Sequence, residues 1–160
     1  MIKAAQSNVT VQADYPGSNC SPAELLALAI EFERAAMGVL KSYKNGHTIS
    51  AAPFRLLCIH AIELYLNAFL RESGETSSQI RALRHDLAAR LALIEKHKLL
   101  LKVKTKQHLE NMSANREYLT ARYAPDAQLL SHLNRLQATL VEVREKVTSR
   151  LQTTGQSNAA

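Results

Sequence analysis

"APFRLLCIHAIELYLNAFL", residues 52–70, carries apolar side chains on nearly every side of the helix that its spacing describes. A surface helix shows one apolar stripe, whereas a helix that is hydrophobic all round needs neighbours on several faces. The stretch therefore predicts a central helix, running from near Ser50 to about Ser73, with Gly74 as its stop. Its polar members are Arg55, His60, Glu63 and Asn67. His60, Glu63 and Asn67 fall at i, i+3 and i+7, so they share one stripe. Polar groups inside a buried helix must find partners. The stripe is expected to face another polar element, a partner subunit or a cleft.

Outward from this helix the same reading gives further helices. "SPAE" is a start signal: Ser21 as N-cap, Pro22 at the first helical position and Glu24 to complete a capping box. Apolar residues then recur at helical spacing from Leu25 to Leu40, and the helix is expected to reach about Tyr43 before "KNGH" closes it. "GETSSQ" reads as a loop. A third helix is expected from around His85 to near His97, and "LLLK" links it to a fourth over about 102–122, which stops before Pro125. A fifth is expected over about 126–151. Its Leu129, Leu133, Leu136, Leu140, Val143 and Val147 alternate four and three apart. That seam is either the ordinary core face of the helix or a surface for a partner helix. Neither an internal repeat nor a strand pattern is visible. The expected fold is all-α, an up-and-down bundle of about five helices over residues 21–151. A loose arm over 1–20 precedes it and a disordered tail over 152–160 follows.

Composition agrees with one helical domain. The chain has 160 residues, 46% hydrophobic and 21% charged, with only 4 prolines, 5 glycines and no tryptophan. Cys20 and Cys58 are too few for a disulfide framework and fit a reducing compartment. The first residues contain no continuous apolar run of a signal peptide, and no run approaches the ~20 apolar residues of a membrane span. A cytoplasmic protein with no membrane partner is expected.

The formal net charge is +6, which permits a polyanionic partner. Lys96, Lys98, Lys102, Lys104 and Lys106 crowd into "KHKLLLKVKTK". They form either a solvated connection between helices or a phosphate-facing patch. Five scattered glycines cannot build a phosphate loop, and neither HExxH nor CxxC occurs. No metal site and no cofactor are expected. What remains is histidine with arginine. That pair can cleave RNA without a metal if the imidazole moves protons and the guanidinium stabilises developing phosphorane charge.

Three fragments in order, "HAIELYLNAFL" (60–70), "LRHDLAARLALIEKH" (83–97) and "NREYLTARYAP" (115–125), resemble the HEPN (higher eukaryotes and prokaryotes nucleotide-binding) family. The resemblance covers roughly residues 55–125. It implies a helical bundle that forms a homodimer, with a cleft suited to nucleotides or RNA. It also implies a possible place among toxin-type ribonucleases paired with a nucleotidyltransferase antitoxin. Such ribonucleases carry Arg, four to six residues, then His, late in the domain. Here Arg55 to His60 and Arg90 to His97 have that spacing, but both lie early and both have Leu after the Arg. "ARYAP" carries its proline one place later than the family pattern.

The candidate ligand-binding residues are His85, Asp86, Arg116, Arg122 and Tyr123, with His60 and His85 as the candidate proton-transfer groups. Each has a structural alternative. His85 could cap its helix with Asp86 in the first turn. Arg122 and Tyr123 could close a helix C-terminus. His60 could be a satisfied core histidine. The functional reading expects His85, Arg116 and Arg122 to line one cleft, with Tyr123 stacking on a base. It gives a non-catalytic nucleotide- or RNA-binding module, with a metal-independent ribonuclease and a pure protein-interaction module as the other readings.

Overall fold

The computed structural model describes residues 15–125 and 129–157. Among these it is all-helical, with seven helices: α1 (Pro22–Leu40), α2 (Thr48–Glu72), α3 (Ser77–Ala82), α4 (Leu87–Lys96), α5 (Val103–Ala114), α6 (Glu117–Tyr123) and α7 (Leu133–Ser157).

α1 begins as its sequence dictates. The Ser21 hydroxyl accepts from the Glu24 N–H at 3.2 Å, and the Glu24 carboxylate accepts from the Ser21 N–H at 2.8 Å. α1 then packs along α2, which is the centre of the molecule and also touches α3, α4, α6 and α7. Ile59, Ile62, Tyr65, Leu66, Phe69 and Leu70 are all buried there, as a helix apolar all round requires. Pro53 lies near the solvent end, where the carbonyl it leaves free belongs to the exposed Ile49. One window of Thr48–Glu72 has the length and hydropathy of a membrane span, unlike the expectation, and 61% of that window is buried inside the bundle.

α7 supplies the other main wall. Leu136, Leu140, Val143 and Val147 are fully buried in the core shared with α2. The expected seam is therefore a core face of its own chain. Its first member drops out: Leu129 is 71% exposed and lies before the helix, which starts at Leu133 rather than near 126. Residues 126–128 lie outside the described part. A polar tie joins three helices at this wall. The Tyr65 hydroxyl donates to Glu33 at 2.6 Å, and Arg144 donates to the same carboxylate at 2.7 Å.

Three further differences are found. α3 occupies part of the expected "GETSSQ" loop, because Thr76 and Gln79 form a second reciprocal capping box. The expected single helix over 102–122 is two, α5 and α6, broken at Arg116, which is left-handed with φ 50 and ψ 43. The break turns Glu117 inward to the buried Arg55, 3.1 Å away. Finally, α7 continues through residues 152–157 of the expected tail. Of the expected arm, residues 1–14 lie outside the described part. Residues 15–18 make a turn tied to α3, where the Ser77 hydroxyl donates to the Ser18 carbonyl at 2.7 Å.

Candidate functional site

The polar stripe of α2 faces the junction between α3 and α4. Asp86, not His85, caps α4: its carboxylate accepts from the Ala89 N–H at 3.0 Å and from the Ser113 hydroxyl at 2.6 Å. These bonds, the Ser113 hydroxyl first, hold the Asp86 carboxyl below its ordinary value. Freed from the cap, His85 turns back onto α2. Its Nδ1 lies 3.1 Å from each oxygen of the buried Glu63 carboxylate. A carboxylate can only accept, so Nδ1 carries the proton. In the neutral form of the ring, Nε2 is the acceptor.

His60, one turn before Glu63, has its Nδ1 4.0 Å from the same carboxylate and its ring edge-on to Phe32. Burial lowers the pKa of His60, while Glu63 acts in the opposite direction. One turn after Glu63, the Asn67 amide oxygen accepts from Arg90 Nε at 2.9 Å, and Arg90 Nη1 donates to the Asp86 carbonyl at 3.1 Å. Arg90 is 3% exposed and lies within electrostatic reach of Glu63. The three stripe residues thus form one floor.

α6 closes one side. Tyr118 stacks on His85 with ring centroids 4.2 Å apart, and the Arg122 guanidinium lies 5.7 Å from the Tyr118 ring. Arg122, Tyr118 and His85 therefore follow one another as a stack. The opposite side is built by α3 and by residues 15–20, where Arg81 sits 4.5 Å over the Tyr15 ring. Between these walls is a cleft of ≈ 900 Å³. Its floor is His60, Glu63, Asn67, His85 and Arg90; Arg71, Arg81 and Arg84 add positive charge around it. The Arg71 Nε is buried without a hydrogen-bond partner among the described residues. Leu25, Leu28, Leu64 and Ile80 give it an apolar wall.

The sequence candidates are distributed unequally around this cleft. His60 and His85 line it. Arg122 stands beside it through Tyr118. Asp86 sits behind the floor as a helix cap. Arg116 is exposed at the α5–α6 break and does not line the cleft. Tyr123 is 77% exposed, also outside the lining. Sequence reasoning passed over Tyr118, which lies one helical turn before Arg122 and so shares its face. Arg81 and Arg84, which precede His85 in the sequence, line the cleft beside it, whereas Arg71, for which no local pattern marks a common site, was passed over.

The lysine cluster is elsewhere. None of its five lysines lines the cleft; Lys106 pairs with Glu95, and Lys102 and Lys104 border a shallow depression that also contains Glu142 and Glu145. A second buried polar network stands beneath α6: Arg55 donates to Glu117 and to the Ser131 carbonyl, and His108 lies between Ser131 and Thr139. Among the described residues, no three His, Cys, Asp or Glu side chains converge as a metal site requires. Comparisons with protein-family models, curated proteins and solved structures find no match.

Proposed function

We propose that the protein is a nucleotide- or RNA-binding helical module of the HEPN type, and that the ligand occupies the cleft floored by His60, Glu63 and His85. The observation that carries this reading is the Arg122–Tyr118–His85 stack at the edge of a cleft rimmed by arginines. Guanidinium groups accept phosphates, and a base can extend the stack on the His85 face turned away from Tyr118. The same proposal includes a cytoplasmic location and the homodimer that the family resemblance implies. The apolar faces of α2 and α7 are used within the chain, so the exposed Ile30 of α1, which does not line the cleft, is the better candidate for a subunit contact.

The test is titration with nucleoside monophosphates and a short single-stranded RNA at two ionic strengths. Binding that weakens with salt and is reduced by Arg122→Ala supports the reading. No binding at low salt removes it and favours a protein-interaction module.

A second reading rests on the His85–Glu63 pair. A carboxylate behind Nδ1 orients the imidazole and leaves Nε2 to take a proton, an arrangement suited to a general base. With Arg122 nearby, this is the chemistry of a metal-independent, toxin-type ribonuclease, whose antitoxin partner would be a nucleotidyltransferase. RNA cleavage in EDTA that is lost in His85→Ala would establish it. Intact RNA after prolonged incubation would remove it.

A further inference from the structure

We infer that the cleft selects guanine over adenine, because the Glu63 carboxylate on its floor presents unused acceptor capacity beside fixed donors. The inference rests on the nucleotide-binding reading and names the base. Glu63 is 5% exposed, yet among the described residues the one hydrogen-bond donor it meets is the His85 Nδ1, shared between its two oxygens at 3.1 Å each. A carboxylate has about four acceptor positions, so most of its capacity remains open. His60 Nδ1 at 4.0 Å is beyond hydrogen-bond range. A buried anion with one shared donor favours a ligand that brings more.

Its neighbours are donors. The Asn67 amide oxygen is taken by Arg90 Nε, which assigns the donating –NH₂ to the other side of the amide. Arg90 lies on the same floor, anchored to Asn67 and to the Asp86 carbonyl. The floor therefore offers an acceptor pair next to N–H donors. Guanine is complementary to this: N1–H and the 2-amino group are adjacent donors, and O6 is an acceptor. Adenine would turn its N1 acceptor toward the carboxylate. Uracil has a single N–H on that edge. Hypoxanthine keeps N1–H and O6 but lacks the 2-amino group.

Calorimetric titration of the native full chain with GMP, IMP, AMP and ribose 5-phosphate tests this. The expected order is GMP, then IMP about tenfold weaker for one lost bond to a charged acceptor, then AMP and ribose 5-phosphate weaker still. Equal affinity for GMP and AMP would overturn the guanine assignment while leaving nucleotide binding intact. No binding of any of the four would remove both. In Glu63→Gln, which keeps the side-chain shape but converts one acceptor to a donor, GMP affinity should fall to that of AMP. A retained GMP preference in a folded variant would overturn the assignment. If that variant does not fold, the ligand series on the native chain decides alone.

Discussion

His85 Nδ1 stands 3.1 Å from both oxygens of Glu63 while its ring lies on Tyr118. One residue at the mouth of α4 thereby joins α2 to α6. His85→Ala removes the donor from a buried carboxylate and the stacking partner from Tyr118. Loss of a hydrogen bond to a charged group predicts a stability loss of about 1–3 kcal/mol by urea denaturation. On the proposed function it also weakens nucleotide binding about tenfold or more. Unchanged binding in a destabilised but folded variant would assign His85 a purely structural role.

Capping is now a separate experiment. Asp86, not His85, accepts the Ala89 N–H. Asp86→Ala should cost about 1 kcal/mol, with an added loss from the freed Ser113 hydroxyl. Its nucleotide affinity should stay near that of the native chain, since Asp86 is outside the cleft lining. A large loss of affinity with little loss of stability would contradict this division of roles.

How far the sequence reveals this molecule depends on the range of the interaction. The α2 stripe is legible because His60, Glu63 and Asn67 obey helical spacing within an apolar run. The second capping box, Thr76 with Gln79, is equally local, but the surrounding polar residues disguise it as a loop. The break at Arg116 has no such signal: a left-handed residue is expected to be Gly or Asn. What this position gains is the burial of Glu117 against Arg55, sixty-two residues away in the chain. The turn of His85 onto Glu63 is likewise tertiary, and only the fold converts a candidate cap into a cleft residue. The Leu129 to Val147 periodicity misleads in the opposite direction, since spacing alone cannot say where the helix begins.

Arg55 and Glu117 form a pair that is 9% and 1% exposed at the side chains. Removing one partner leaves the other charge buried. Glu117→Ala should destabilise the fold by about 3–5 kcal/mol, and it also deprives the Ser131 hydroxyl and N–H of their acceptor. The double variant Arg55→Met, Glu117→Leu should recover much of that loss. A double variant as unstable as Glu117→Ala would show that the pair also holds residues around Ser131 in place.

The two thiols should differ in reactivity. Cys58 is fully buried, and desolvation first, with Glu33 adding to it, pushes its pKa up to about 12. Cys20 is half-buried on the cleft wall. Iodoacetamide on the native protein should therefore add one label per chain, at Cys20. A bound nucleotide should slow that labelling several-fold. Labelling at Cys58 under native conditions would reveal opening of the core, and an unchanged Cys20 rate with ligand present would place the ligand outside this cleft.

His108 makes stability depend on pH. Its Nε2 is 2.6 Å from the Ser131 hydroxyl oxygen, whose own proton goes to Glu117, so Nε2–H must donate. Nδ1 is then the acceptor for the Thr139 hydroxyl at 2.7 Å. Burial, with the Arg135 charge added, lowers the His108 pKa from 6.5 to about 4. The folded state therefore resists a proton that the unfolded chain accepts below 6.5. Between about 6.5 and about 4 the unfolded state binds more protons, so this contribution to stability is fully present above 6.5 and declines as pH falls through that window. Below about 4 the group no longer adds to the slope. Urea midpoints measured from pH 7.5 to 4 should fall most steeply in this interval. In His108→Gln, which does not titrate, the fall should be shallower even if the variant is less stable at pH 7.5. Parallel pH profiles for the two proteins would assign the acid sensitivity to other groups.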